Sequence, residues 1–331
     1  MKRRQFLAAG VAYAAGFSCL SVSALENKLF RLALIHPSRP VEQMTRQGSP
    51  FYRAMFLELE KLGFIEGKNL EIARYSALGS REALQKIVHE AALRNPDAIL
   101  ASSGRTVLML KQETQTVPVV GFVSDPISYG IVNSIAHPGG NITGVIVDGG
   151  IETWQKRLEL LRAAKPSIKS IFHVAPRSAS ESRVGVAIND AARNVGLTLV
   201  GPPVESPHQA AEYQRAFSEA ESSDACLINA APENLTARKL ICELITEKRL
   251  LAMAPYREFA VDGCAMSYDF NLIDLNTYAA HQVASIFQGT NPGEIPFYQP
   301  KNFNFVINSS AMERLGLTLD ANVLARADEV L

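Results

Sequence analysis

From Leu29 onward, short apolar runs alternate with amphipathic segments. Residues 30–35 read as a first strand. Over 49–62, Phe51, Met55, Leu59 and Leu62 recur at helical spacing on one face, and Gly63 stops the run. A second strand is expected at 70–75, then a helix over 80–93, opened by Ser80 and closed before Asn95-Pro96. Strands follow at 97–101 and 117–123 with a short helix between them, and a fifth at 141–147 after the Pro138-Gly139-Gly140 turn. The rhythm restarts after Asp148-Gly149-Gly150. Ile151, Trp154, Leu158 and Leu161 mark a helix face that ends at Pro166. Strands are expected at 170–174, 197–200, 225–228, 250–254 and 264–266, with helices near 181–195, 207–221 and 232–248. A helix over 272–288, a Pro-rich connection over 289–300, a late strand at 303–307 and a short terminal helix complete the chain.

Near-continuous apolar strands alternating with helices predict parallel sheets covered on both faces. Two runs of five strands suggest two similar doubly wound lobes rather than one very wide sheet. The halves share no clear sequence identity, so the repeat is architectural. The length of 331 residues also suits two domains.

The first 24 residues stand apart. They carry Lys2, Arg3 and Arg4 and no acid, then a moderately apolar uncharged stretch that ends in Val22-Ser23-Ala24. This is the layout of a signal peptide cleaved after Ala24. The run Arg3-Arg4-Gln5-Phe6-Leu7 resembles the twin-arginine export motif. A retained anchor is the alternative, because the uncharged stretch is just long enough to span a bilayer. Without this segment the chain loses three of its 33 basic residues and none of its 33 acidic ones, leaving a net charge of −3. Such a balance, with no basic stripe, argues against nucleic acid as a partner. No later apolar run could span a membrane. Cys19 lies in the export segment. Cys226, Cys242 and Cys264 form no Cys-x-x-Cys pair, and whether two of them are joined is open.

In open parallel sheets, ligands bind beyond the carboxyl ends of the strands, where helix N-termini favour anions. Two facing lobes would bring both loop sets onto one cleft. The candidate loops are 102–106, 124–126, 176–178, 229–234, 255–257 and 267–269. Ser102, Ser103 and Asp125 read first as helix caps and only second as ligand contacts, whereas Tyr256 and Tyr268 read equally as cleft walls or as packing between lobes. Arg105 is more telling, because a cation just inside a helix N-terminus needs a compensating anion from a ligand or a structural carboxylate. There is no Gly-x-Gly-x-x-Gly, no P-loop and no Gly-x-Ser-x-Gly elbow, and His89-Glu90 lacks the second histidine of a zinc-protease helix. No enzyme, cofactor or metal site is expected.

Several segments resemble the substrate-binding proteins of ABC transporters, in the group typified by aromatic-amino-acid uptake components. They include 59–69, Asp125-Pro126 followed by Gly130, His137-Pro138-Gly139-Gly140-Asn141-Ile142-Thr143-Gly144, and Arg157-Leu158-Glu159-Leu160-Leu161. Phe305-Val306-Ile307-Asn308, Leu315-Gly316-Leu317-Thr318 and 324–330 extend the likeness to the tail. The resemblance implies a type I periplasmic-binding-protein fold, with two α/β lobes joined by a three-stranded hinge and closing on a ligand. It implies an N-terminal lobe of 25–147 plus about 271–300, and a C-terminal lobe of 148–270 plus about 301–331. It also implies a monomeric, periplasmic protein that hands a small molecule to a permease and touches the membrane only through that transporter. A periplasmic sensor docking on a receptor, and an exported enzyme on the same scaffold, are the alternatives. The expected ligand residues are Ser103, Gly104, Arg105, Thr106, Ser124 and Asp125 on the first lobe, and Asn229, Tyr256, Tyr268 and Asp269 on the second. Gly104-Arg105-Thr106 and Ser267-Tyr268-Asp269-Phe270 depart from the family pattern. They suggest that Arg105 and Asp269, on opposite lobes, clamp a zwitterion or carboxylate whose body stacks on Tyr256 or Tyr268.

Overall fold

In the computed structural model, which describes residues 28–220 and 223–331, the alternation becomes two sheets. The export segment 1–24 and Cys19 lie outside the described residues, as do 221 and 222 at the end of one expected helix. The first sheet contains β1 (Phe30–His36), β2 (Leu70–Ser76), β3 (Ala98–Ala101), β4 (Val119–Val123) and β5 (Ile142–Ile146). Its strands are all parallel, in the order β2-β1-β3-β4-β5. The second contains β6 (Ser170–Val174), β7 (Thr198–Val200), β8 (Ala225–Ile228), β9 (Leu251–Ala254) and β10 (Met266–Asp269), in the same order, β7-β6-β8-β9-β10. The architectural repeat is therefore a repeat of topology.

The second sheet is wider than expected, with seven strands. β11 (Asn304–Ile307) pairs antiparallel with β10, and β12 (Glu329–Val330) pairs with β11 beyond it. A further correction concerns 267–269, which reads as a polar loop but continues β10. Ser267, Tyr268 and Asp269 sit opposite Val306, Phe305 and Asn304, so pairing with a distant strand extends this one past its apolar core. The helix expected over 232–248 divides into Pro232–Thr236 and Arg238–Glu247.

Strand alternation sorts the core. On β1, Leu32 and Leu34 join the cluster on one face, whereas Ala33 and Ile35 join the cluster on the other. On β6 and β8, Phe172, Val174, Cys226 and Ile228 face one way, and Ile171, Ala225 and Leu227 the other. Both faces of each sheet are thus buried, which is why these strands read as continuous apolar runs.

The chain passes between the sheets at 147–150, 270–271 and 299–303. The helix Leu272–Phe287, capped by Asn271, returns to the first sheet and lies along the helix Pro50–Lys61. Phe287 packs its ring against Phe30 and Phe64, with centroids 4.8 and 5.1 Å apart. The 138–144 run holds the segment after that helix in place. Gly139 N–H donates to Gly293 O (3.1 Å), Thr143 Oγ1 to Ile295 O (2.7 Å), and Gly144 O accepts from Tyr298 N (2.8 Å) and Gln282 Nε2 (2.8 Å). Gly144 also pairs with Gly121 in β4, and a Cβ there would lie 1.9 Å from Gly121 O. Gly144→Ala must separate two paired backbones, so equilibrium denaturation should show a loss of about 3 kcal/mol or more. A change within 0.5 kcal/mol would mean that the two strands yield freely.

Cys226, Cys242 and Cys264 are buried free thiols, with Cys242 and Cys264 Sγ 3.1 Å apart. Among the described residues no helix is long and apolar enough to cross a membrane.

Candidate ligand-binding site

Both sheets reverse their winding between the second and third strands of that order, β1 and β3 in one and β6 and β8 in the other. At such a switch point the loops leave in opposite directions and open a crevice at the strand carboxyl ends. The two crevices meet in one cavity of about 310 Å³. The first sheet contributes His36 at the end of β1 and Arg39 after it, Ser102 to Arg105 after β3, and Ser124 after β4. The second contributes Pro176 and Ser178 after β6, Asn229 to Glu233 after β8, and Tyr256 after β9. Phe51, Tyr52, Phe122, Tyr129 and Trp154 add aromatic walls. The lobes also touch along the rim. Ser38 Oγ lies 2.9 Å from Thr236 Oγ1, and Ser206 Oγ donates to Gly79 O (3.1 Å) and accepts from Arg81 N (3.2 Å).

Of the residues expected from sequence, Ser103, Gly104, Arg105, Ser124, Asn229 and Tyr256 line this cavity. The other four do not. Thr106 is buried, with its hydroxyl 2.7 Å from Ser103 Oγ. Asp125 Oδ1 accepts from Ile127 N and Ser128 N, stabilising the turn after β4. Tyr268 stacks on Phe303, with centroids 5.7 Å apart. Asp269 is held by the Arg157 guanidinium, and both side chains are fully buried. Arg105 and Asp269 therefore do not face each other across the cleft. The carboxylate opposite Arg105 is Glu233.

Ser103 combines its two expected roles. Its Oγ caps the helix Gly104–Glu113 by accepting from Thr106 N (3.1 Å), and it also faces the cavity. Arg105, in the first turn of that helix, makes no ion pair among the described residues. Burial lowers its pKa, and Glu233 opposes that shift. A guanidinium so placed is a ready partner for an anion.

Asp148, on the crossing after β5, and Trp154, on the helix Ile151–Ala164 that follows, read from the sequence as no more than a turn and a helix face. Trp154 is buried and donates Nε1–H to Asp148 Oδ2 (2.8 Å), while Gly150 N donates to Asp148 Oδ1 (3.1 Å). The other face of Trp154 lies 4.4 Å from the Arg157 guanidinium. Arg157 also donates Nε–H to Tyr268 O (2.9 Å). The cluster thus holds two carboxyls, Asp148 and Asp269, and one guanidinium already committed to Asp269. Burial pushes Asp269 up to about 8 and raises Asp148 as well, in both cases against the pull of Arg157. Asp148 is the member of this group that opens onto the cavity.

Tyr256 presents its ring to the cavity and donates its hydroxyl to Ala230 O (3.3 Å). Asn229 Oδ1 accepts from Ala231 N (3.0 Å), leaving its NH₂ without a protein acceptor among the described residues.

This cleft between two topologically repeated lobes has counterparts among known proteins. The ABC transporter substrate binding protein family matches residues 52–331. The chain belongs to that family. A tyrosine-binding protein of Clostridioides difficile is 21% identical over 262 residues, covering 78% of this chain and 74% of that protein. Among solved structures, a conserved domain protein from Vibrio cholerae is 24% identical and covers 92% of this chain and 100% of its own, with a TM-score of 0.80. An ABC domain from Streptococcus pneumoniae in complex with L-Trp is 19% identical, covers 91% of this chain and 99% of its own, and has a TM-score of 0.75. At these identities the solved structures establish the fold, which is the expected pair of α/β lobes of a periplasmic binding protein. The family consists of solute-binding proteins rather than enzymes, binds small molecules and works with ABC transporters outside the cytoplasm.

Proposed function

We propose that this substrate-binding protein captures a small zwitterion with an apolar or aromatic body, an amino acid or a close analogue, and delivers it to an ABC permease. The observation that carries this reading is the polarity of one aromatic-walled cavity. Arg105 lines it as a cation without an ion pair among the described residues, and Asp148 lines it as a carboxyl whose neighbouring guanidinium, Arg157, is engaged by Asp269. A carboxylate suits the first and an ammonium the second, with Trp154 and Tyr256 flanking the body. Two relatives, a tyrosine-binding protein and a protein solved in complex with L-Trp, support the choice of an amino acid. In this reading the protein acts as a periplasmic monomer, exported by the twin-arginine-like segment and cleaved after Ala24.

Native mass spectrometry of the purified protein, followed by thermal-shift and calorimetric titration with L-tyrosine, L-tryptophan and other amino acids, tests this directly. A one-to-one ligand at about 100 Kd stabilises the folded state by roughly 2.7 kcal/mol. Arg105→Ala should then weaken that ligand at least tenfold, about 1.4 kcal/mol. An unchanged affinity would remove Arg105 from the site. If no amino acid shifted the melt, the amino-acid reading would fall.

A further inference from the structure

Arg105 is not the only cation in the cavity. Arg39, in the loop after β1, is 3% exposed, lines the same cavity and makes no ion pair among the described residues. Its one side-chain bond is a long one, from Nη1 to Gln43 Oε1 (3.3 Å), and its guanidinium rests against the Phe51 ring. Beside it, His36 Nδ1 accepts two backbone N–H groups, from Arg39 (2.8 Å) and Ser38 (3.1 Å). With Nδ1 occupied as an acceptor, the proton of the neutral ring sits on Nε2, where no protein acceptor meets it among the described residues. Burial, aided by the Arg39 charge, keeps this ring neutral. A fixed N–H donor and a free guanidinium therefore lie together at the carboxyl end of β1.

The groups near Arg39 and Arg105 are different. Tyr52 and Arg238 act on Arg39, whereas Glu233 and Arg81 act on Arg105. Arg238 belongs to the opposite lobe and is itself paired with Asp262 (2.7 Å), so it adds like charge near Arg39 and offers it no counter-ion. A buried guanidinium without a counter-ion is costly, and among the described residues no carboxylate pairs with this one. A ligand with a single carboxylate held by Arg105 would leave that cost standing.

Resting on the amino-acid reading of the cavity, we infer that the carboxyl end of β1 is a second acid-binding subsite, formed by His36 and Arg39. The cognate ligand then carries two acidic groups, one for Arg105 and one for this pair, the second being a carboxylate or a phosphate.

Calorimetric titration of matched amino acids tests the inference. L-glutamine and L-glutamate, and L-phenylalanine and 4-carboxy-L-phenylalanine, differ by a carboxylate; L-tyrosine and O-phospho-L-tyrosine differ by a phosphate. The acidic member of at least one pair should bind at least tenfold tighter, and which pair responds identifies the group. Arg39→Gln should abolish that preference, weakening the acidic member at least tenfold more than the neutral one. If Arg39→Gln does not fold, Arg39→Lys, which keeps the charge but loses the two-pronged donor, should reduce the preference at least threefold. Equal binding within every pair, or a preference that survives the Arg39 variants, overturns the second subsite and leaves the amino-acid reading intact. Failure of all six compounds to bind the wild type overturns the second subsite, and the amino-acid reading falls with it only if the wider amino-acid screen also gives no binding.

Discussion

Replacing Arg157 with Ala should lower the unfolding free energy by about 3–5 kcal/mol, the range for removing one partner of a buried ion pair. Three contacts are lost together: the pair with Asp269, the bond to Tyr268 O, and the packing of the guanidinium on Trp154. The dominant cost is what remains, two buried carboxyls with no cation beside them. Adding Asp269→Asn to Arg157→Ala should recover part of the loss, because it removes one of those carboxyls, whereas Asp269→Asn alone should cost less than Arg157→Ala. Denaturant unfolding of the three variants measures this. A loss under about 1 kcal/mol for Arg157→Ala would show that the pair behaves like an exposed one, and the account of the cluster would fail.

Asp148→Asn should have the larger effect on binding. The amide keeps an oxygen to accept from Trp154 Nε1, so the wall retains its shape while losing its charge. An ammonium ligand should then bind at least 100-fold more weakly, about 2.7 kcal/mol. A proton signature should accompany it. With two carboxyls and one guanidinium, the free cluster retains a proton at neutral pH, as the rise of Asp269 to about 8 reflects. The value belongs to the coupled group rather than to one residue. A ligand ammonium supplies the missing positive charge and lowers that value, so binding between pH 6 and 7 should release up to one proton. Affinity should accordingly rise as pH is raised toward 8. Calorimetry in two buffers of different ionisation enthalpy counts the proton, and Asp148→Asn should abolish its release. Proton uptake, or none in the wild type, would argue against an ammonium at Asp148. Stability without ligand runs the other way. The folded carboxyl holds its proton up to about 8 and the unfolded one only to about 4, so the contribution of this group is present below about 4 and is lost as pH rises through 8.

How much of this was legible beforehand differs by residue. The helix face of Ile151, Trp154, Leu158 and Leu161 was visible from spacing, and Arg157, three residues after Trp154, falls beside it. Spacing could show that a charge lies near a buried face but not what meets it. The partner is Asp269, 112 residues away. Asp269 itself was misplaced, because a polar Ser-Tyr-Asp sequence looks like the end of a strand. It remains strand because β11 pairs with it and Arg157 satisfies its carboxyl. The loops after β3, β4, β6, β8 and β9 were anticipated as the cavity rim, and the cavity is lined from them. The end of β1 with His36, and the loop after it with Arg39, were not. Its importance follows from β1 lying next to β3 at a switch point, and strand order is set by pairings between segments far apart in the chain.

The amino-acid sequence by itself determined the elements, their alternation and the division into two lobes, because strand and helix periods and their Gly, Pro and Ser boundaries are local properties. Tertiary structure decided which strands became neighbours, which charged side chains were neutralised within the protein, and therefore which were left facing the cleft. Arg105, Arg39 and Asp148 gain their meaning from ion pairs that they do not make or that their neighbours make elsewhere. Such a balance of charge exists only once the chain is folded.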